Sequence, residues 1–400
     1  MNLKTNKATN NNNFNLYYIT AIFLCLLKVP ILSNCQNIIK IRLYSENTIN
    51  STIITINTGC YAIISSSDTI LNKLQSGTII CLSIKNDKIE LKKNDSIIGY
   101  YKNLNFAGLS FRNSLSILPD KKKTLQRTYD DCFNISANKT GLMIINNIDL
   151  EDYIAGVVQS EAGGSSDNEE FFKIQAVISR TYAVGHLNNH KAEGYNLCDA
   201  VHCQSYKGQA TKTVLIKAVY ATRGSVIADN ENKLITAAYH SNSGGKTVNS
   251  GDLWNKQLPY LIAVDDTFSL HGPNSLWEIK MKTKEWLDFL KINFDYPIHD
   301  SISKNYALNF SQDTCRLVFF EKDIKLRTIR EKLKLRSTWF SVFVNEDEII
   351  IKGRGYGHGV GLSQEGAAIM AEKGFSFTDI LNFYYKGVQI IKKEKLFSDN

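Results

Sequence analysis

The spacing of apolar and polar positions changes several times along this chain, and each change marks a predicted element. A polar, Asn-rich start carrying Lys4 and Lys7 leads into the apolar run Leu16 to Leu27, which Lys28 ends. Residues 1–35 therefore read as a signal peptide, with a positive n-region ahead of a short h-region. The 12-residue run is too short to cross a bilayer, which takes about 20 apolar residues. Residues 36–135 follow with β-prone runs at Thr52 to Ile56, Thr78 to Ile84 and Ile97 to Tyr101, broken by Gly or Asn-Asp. That pattern predicts a small all-β module, and Asp120 to Lys123 is a loop or linker.

From Gly141 the period lengthens. A strand over Leu142 to Ile145 is followed by Asp149 as a helix cap, with Tyr153 and Val157 at helical spacing. A second helix follows, for which Ser166 and Glu169 fit a capping box, and Phe172, Gln175, Ser179 and Tyr182 trace one face. Val214 to Thr222 reads as a helix, Ser225 to Ala228 and Leu234 to Tyr239 as strands, and residues 271–345 as Lys-rich and amphipathic. A last strand, Glu348 to Lys352, runs into a glycine-dense segment and a helix from Ser363 to Tyr385. The sum is a mixed α/β (α+β) fold: a β-rich core with flanking helices plus an appended N-terminal all-β module. Residues 136–390 form the main domain, with 271–345 as an insertion or lobe.

Composition narrows the class. With 43% hydrophobic residues, 24 Gly and 5 Pro in 400 residues, the chain is neither disordered nor collagen-like. The formal charge of +8 falls to +5 once the leader's Lys4, Lys7 and Lys28 are removed, and it is spread along the chain. That suits the anionic cell envelope as partner and not nucleic acid, which calls for a clustered basic run. Leu32-Ser33-Asn34-Cys35 resembles a lipobox, so Cys35 is either a lipid anchor or sits beside an ordinary cleavage point. Both readings export the protein to the periplasm or envelope, where Cys60, Cys81, Cys132 and Cys315 could pair in ways the sequence does not fix.

Four constellations could carry chemistry. Glu161, just after a helix over Asp149 to Gln159 and before Gly163-Gly164, would meet the negative end of the helix dipole, which raises a carboxyl pKa toward that of a general acid. An ordinary surface Glu at a helix end is the competing reading. His190, Cys198, His202 and Cys203 could wrap a tetrahedral zinc ion, with His186 as a substitute ligand; a Cys198 to Cys203 disulfide is the alternative. The turn Tyr239-His240-Ser241-Asn242-Ser243-Gly244-Gly245-Lys246-Thr247 offers hydrogen bonds to a sugar or carboxylate, although any hairpin turn looks similar. In Gly353 to Gly361 every second residue is Gly. An extended chain there would put Arg354, Tyr356, His358 and Val360 on one face at a spacing of about 6.6 Å.

These pieces, in this order, resemble the SpoIID/LytB family of stage II sporulation protein D and the amidase enhancer. The matching residues are Asp152-Tyr153-Ile154-Ala155-Gly156-Val157-Val158 with Glu161, Gln175-Ala176-Val177 with Arg180-Thr181-Tyr182-Ala183, and Cys198 to Tyr206. They continue through Ala221-Thr222-Arg223-Gly224, Tyr239 to Thr247, Pro259-Tyr260-Leu261, Gly353 to Ala367 and Tyr384-Tyr385-Lys386-Gly387. The resemblance covers roughly residues 140–265 and 350–390. It implies a lytic transglycosylase acting on peptidoglycan glycan strands stripped of stem peptides, with Glu161 as acid/base and a zinc ion near the Cys and His cluster. It also implies that Arg180, Tyr182, His240, Ser243, Arg354, Tyr356, His358, Ser363 and Gln364 bind glycan. The enhancer branch implies an alternative, a non-catalytic wall-binding module that assists an amidase. A zinc hydrolase is disfavoured, because four protein ligands leave no open position for water.

Overall fold

The computed structural model describes residues 37–120, 124–254, 256–313, 317–319 and 324–397. The signal peptide with Cys25 and Cys35, the basic run 121–123 and Cys315 lie outside the described residues.

The strand-rich amino-terminal part is built as two sheets. One has the order β10-β9-β2-β5-β6-β7, formed by β2 (Ser51–Thr58), β5 (Ile79–Lys85), β6 (Lys88–Lys93), β7 (Ser96–Tyr101), β9 (Ser114–Pro119) and β10 (Arg127–Asp130). The other has the order β13-β1-β12-β11-β8-β3-β4. Its strands are β1 (Ile38–Leu43), β3 (Cys60–Ser65), β4 (Asp68–Gln75), β8 (Asn103–Gly108), β11 (Cys132–Asn138), β12 (Gly141–Asp149) and β13 (Leu197–Cys198). Alternation drives the packing: Ile54 and Ile56 of β2 point inward, as do Ile80 and Leu82 of β5, and meet Tyr61, Phe106, Phe133 and Ile135 of the facing sheet. Asn86-Asp87 and Asn94-Asp95 take positive φ at both positions, the geometry of two-residue hairpins.

β11 runs across residue 135 and pairs along its whole length with β12, so the sheet continues into the helical region without a break. β12 ends at Asp149, whose carboxylate accepts from the Glu151 N–H at 2.8 Å and caps α1 (Leu150–Ala162). The cap of α2 (Glu169–Gly185) is Asn168, not the Ser166 and Glu169 capping box that the sequence suggested. The Asn168 side chain takes the first free N–H groups of the helix, while Ser166 Oγ accepts from the Asn168 N–H at 3.0 Å. α3 (Thr213–Ala221) packs on both helices.

Of the two later strands, β14 (Ser225–Ala228) forms and pairs with Gln389–Lys392. The stretch 234–239 supplies only a bridge at Leu234 and the two-residue strand β15 (Tyr239–His240), which lies parallel to Leu362–Ser363. The closing helix is two helices, Gln364–Glu372 and Phe377–Tyr384, because Gly374 turns at φ 87° and Ser376 starts a new capping box with Asp379.

Residues 276–354 form a lobe with a core of its own. Leu276–Lys282, Glu348–Arg354 and Phe340–Asn345 make a three-stranded antiparallel sheet. Against it pack Trp286, Leu290, Phe310, Phe319 and Ile329, separate from the main core.

Candidate functional site

Glu161 lies in the last turn of α1, which runs to Ala162 and thus past the Gln159 end that the sequence indicated. The apolar face of the helix, Tyr153, Ile154, Val157 and Val158, anchors it in the main core. The carboxyl is half-buried and held at both oxygens: the Ser205 N–H donates to Oε1 at 2.9 Å, and the Tyr239 hydroxyl donates to Oε2. Burial pushes the Glu161 pKa up, and the bonds from Tyr239 and Ser205 pull it partly back. Among the described residues no second carboxylate is close enough to shift it.

Ser205 is delivered by the loop that follows β13. There His190, Cys198, His202 and Cys203 bring one ligand atom each to within 4.8 Å of one another. Cys203 Sγ lies 3.6 Å from His190 Nε2 and 3.5 Å from His202 Nδ1, and Cys198 Sγ lies 3.8 Å from His202 Nδ1. Both thiols are free, so the alternative disulfide is not formed. The far nitrogen of His190 bonds Glu193 Oε1 at 2.7 Å, which orients the ring with Nε2 toward the cluster. Tyr195 stacks on the same ring and donates to Glu193 at 2.7 Å. His186 is turned away, bonded to the Tyr182 carbonyl at 2.7 Å and stacked on the Tyr182 ring.

The expected glycan-binding residues divide. Arg180 is fully buried: Nε and Nη2 grip the Glu151 carboxylate, with Nη2 to Oε2 at 2.5 Å, and the Ser225 and Val219 carbonyls take further donors. It ties α1, α2 and α3 together and cannot reach a sugar. Ser243 and Ser363 are likewise buried. Ser243 donates to Asp266 at 2.8 Å, and Ser363 caps Gln364–Glu372 through the Gly366 N–H at 3.2 Å. His240 is buried too, with Nδ1 on the Val360 carbonyl at 3.2 Å, and burial pushes its pKa down to about 3, so it is neutral. The resemblance implied that each of the four binds glycan, and the packing turns each inward. Gln364 donates to Gln175 Oε1 at 3.1 Å, and the Tyr182 hydroxyl reaches the His202 carbonyl at 3.5 Å.

The glycine-dense segment is not an extended strand. Gly355, Gly357, Gly359 and Gly361 all have positive φ, 73° to 118°, which folds the segment against the 239–247 turn. A Cβ on Gly355 would come within 2.6 Å of the Asn242 carbonyl oxygen. Arg354 and Tyr356 are consequently exposed, His358 is half-buried and Val360 is buried, and they do not share a face. His358 instead packs 5.5 Å from His240 and 5.8 Å from Trp254, and burial pushes its pKa down to about 4.

Two partners of Glu161 were not singled out from the sequence. Tyr239 stood at the head of the polar turn, where only the later residues were weighed. The Ser205 contribution is a backbone N–H, which leaves no trace in residue type.

The profile of the stage II sporulation protein family, SpoIID, matches residues 138–228, which contain Glu161 and all four residues of the Cys and His cluster. Stage II sporulation protein D of Bacillus amyloliquefaciens is 32% identical over 281 residues, 66% of this chain and 80% of that protein. Its counterpart in Bacillus subtilis (strain 168) is 32% identical over 273 residues, covering 64% and 78%. The amidase enhancer of Bacillus subtilis (strain 168) is 30% identical over 291 residues, 59% of this chain and 40% of that protein.

Proposed function

The chain belongs to the SpoIID/LytB family of stage II sporulation protein D and the amidase enhancer, and we propose that it is an exported cell-wall protein that cuts peptidoglycan glycan strands as a lytic transglycosylase. The observation that carries this reading is the single carboxyl of Glu161, kept proton-retentive by burial and gripped by two hydrogen-bond donors. Protonated Glu161 gives its proton to the glycosidic oxygen as the C–O bond breaks. The carboxylate then takes the proton of the muramic acid 6-hydroxyl as that oxygen closes on the anomeric carbon, leaving a 1,6-anhydro end. The Ser205 N–H and the Tyr239 hydroxyl stabilise the carboxylate between the two steps. A hydrolytic glycosidase would instead use a second carboxylate about 5–9.5 Å from the first.

A zinc ion fits the His190, Cys198, His202 and Cys203 set. With Zn–S of about 2.3 Å and Zn–N of about 2.0–2.1 Å, tetrahedral S···N edges are about 3.5–3.6 Å, close to the 3.5, 3.6 and 3.8 Å separations here. The ion would cross-link the loop that ends in the Ser205 donor, a structural role with no position left for water. The leader would export the chain, with Cys35 as lipid anchor or cleavage point.

A second reading, a non-catalytic module that assists a cell-wall amidase, is favoured by the likeness to the amidase enhancer. Incubating the mature chain with peptide-free glycan strands separates them by mass spectrometry. Fragments with anhydro ends, lighter by one water than hydrolytic ends, support the transglycosylase. No product, together with capture of an amidase, supports the second reading.

A further inference from the structure

The lobe takes in only the first two residues of the recognised motifs, Gly353 and Arg354, yet it lines a surface cleft of about 340 Å³, within the range of about 300–1,000 Å³ of small-molecule sites. Leu276 and Phe343, 65% and 45% exposed, give it apolar walls. Its charged lining residues are Lys352 and Arg354 against Asp313. Lys352 has Glu278 as a partner at 3.8 Å, whereas Arg354 has no carboxylate partner among the described residues. The Arg354 guanidinium lies 5.4 Å from the centre of the Trp339 ring of the lobe, a cation–π contact that leaves its charge in place. Arg354 and Trp339 also line the adjoining crevice that holds His358. The Tyr239 backbone bonds His358, and the Tyr239 hydroxyl bonds Glu161, so contacts link the cleft to the candidate acid.

An arginine without a carboxylate partner, near an indole and beside exposed apolar walls, suits a ligand with both a sugar face and a carboxylate. Peptidoglycan presents that combination only after its stem peptide has gone, because cutting the lactyl amide leaves a free lactyl carboxylate on the muramic acid. We propose that the lobe cleft is a distal glycan subsite in which Arg354 takes this lactyl carboxylate and Phe343 and Leu276 cover the ring of a neighbouring sugar. The subsite rests on the glycan-cleaving reading and extends it: the charge at Arg354 reads whether a strand has been stripped.

The test measures binding in the full mature chain carrying Glu161→Gln, so that no cleavage is needed. The two probes are peptide-free strands and the same strands with their lactyl carboxylates capped as methylamides. The expected result is about tenfold tighter binding of the carboxylate form, the size of one charge-assisted contact. Adding Arg354→Gln should abolish that difference, and Arg354→Lys should restore most of it. Equal binding of the two probes by the Glu161→Gln chain overturns the subsite and leaves the glycan reading intact, whatever the Arg354 variants do. Binding of neither probe overturns both.

Discussion

Tyr239→Phe tests the electrostatics of Glu161 with a sign that is easy to get wrong. Burial raises the Glu161 pKa, and the Tyr239 hydroxyl lowers it by donating to Oε2. Removing that hydroxyl removes a lowering interaction, so the pKa rises and the proton is kept to higher pH. A hydrogen bond to an ionised group contributes about 1.5–3 kcal/mol net, and one pH unit corresponds to about 1.36 kcal/mol. Because the phenol can also donate to the protonated carboxyl, only part of that energy separates the two states, and the expected rise is about one pH unit. The assay is the pH dependence of kcat/KM for release of anhydro ends. As the acid must be protonated to start the reaction, the alkaline limb belongs to Glu161 and should move up in Tyr239→Phe, even where the plateau rate falls. The reverse reasoning, in which a lost tyrosine merely weakens the site, predicts an unmoved limb. A limb that stays in place or moves down refutes the assignment of Tyr239 as the donor that tunes Glu161.

Three further outcomes follow from the packing. Arg180→Met leaves Glu151 buried and unpaired, so urea unfolding should show a loss of about 3–5 kcal/mol; a change near zero would mean that the pair is not buried as described. Removing metal with a chelator, or substituting Cys203→Ser, should lower the melting temperature together with zinc content measured by mass spectrometry, and equal melting with and without metal would sink the structural role. Trp286→Ala empties the lobe core at a loss of about 3–5 kcal/mol, and hydrogen exchange should rise through residues 276–352 while α1 and α2 stay protected. Uniform loss of protection would show that lobe and main core unfold as one.

Much of the fold was legible because alternation and helical spacing are local properties. The β runs before residue 120, the Asp149 cap and the helices around Tyr153 and Phe172 all appear where their spacing placed them. That His190, Cys198, His202 and Cys203 come together was legible for a related reason: the four lie within one short stretch of chain. What failed was non-local. Arg180 looked like a glycan contact because a motif gives the residue and not its direction; its partner Glu151 sits 29 residues away on another helix. The alternation from Gly353 to Gly361 implied a strand, yet glycine tolerates positive φ, and the backbone uses that freedom to fold against the 239–247 turn. The lobe's contribution at Trp339 and Phe343 was hidden in a Lys-rich stretch whose pattern says amphipathic and nothing more.

The central claim is that Glu161 alone carries proton transfer in a glycan-cleaving reaction. Peptide-free strands incubated with the mature chain and with its Glu161→Gln form, at equal zinc content and equal melting temperature, test it by mass spectrometry of the products. The account predicts anhydro-ended fragments from the first and a rate lower by about 10²–10⁴ from the second, the usual contribution of a positioned acid/base. Cleavage by Glu161→Gln at the unaltered rate would contradict it.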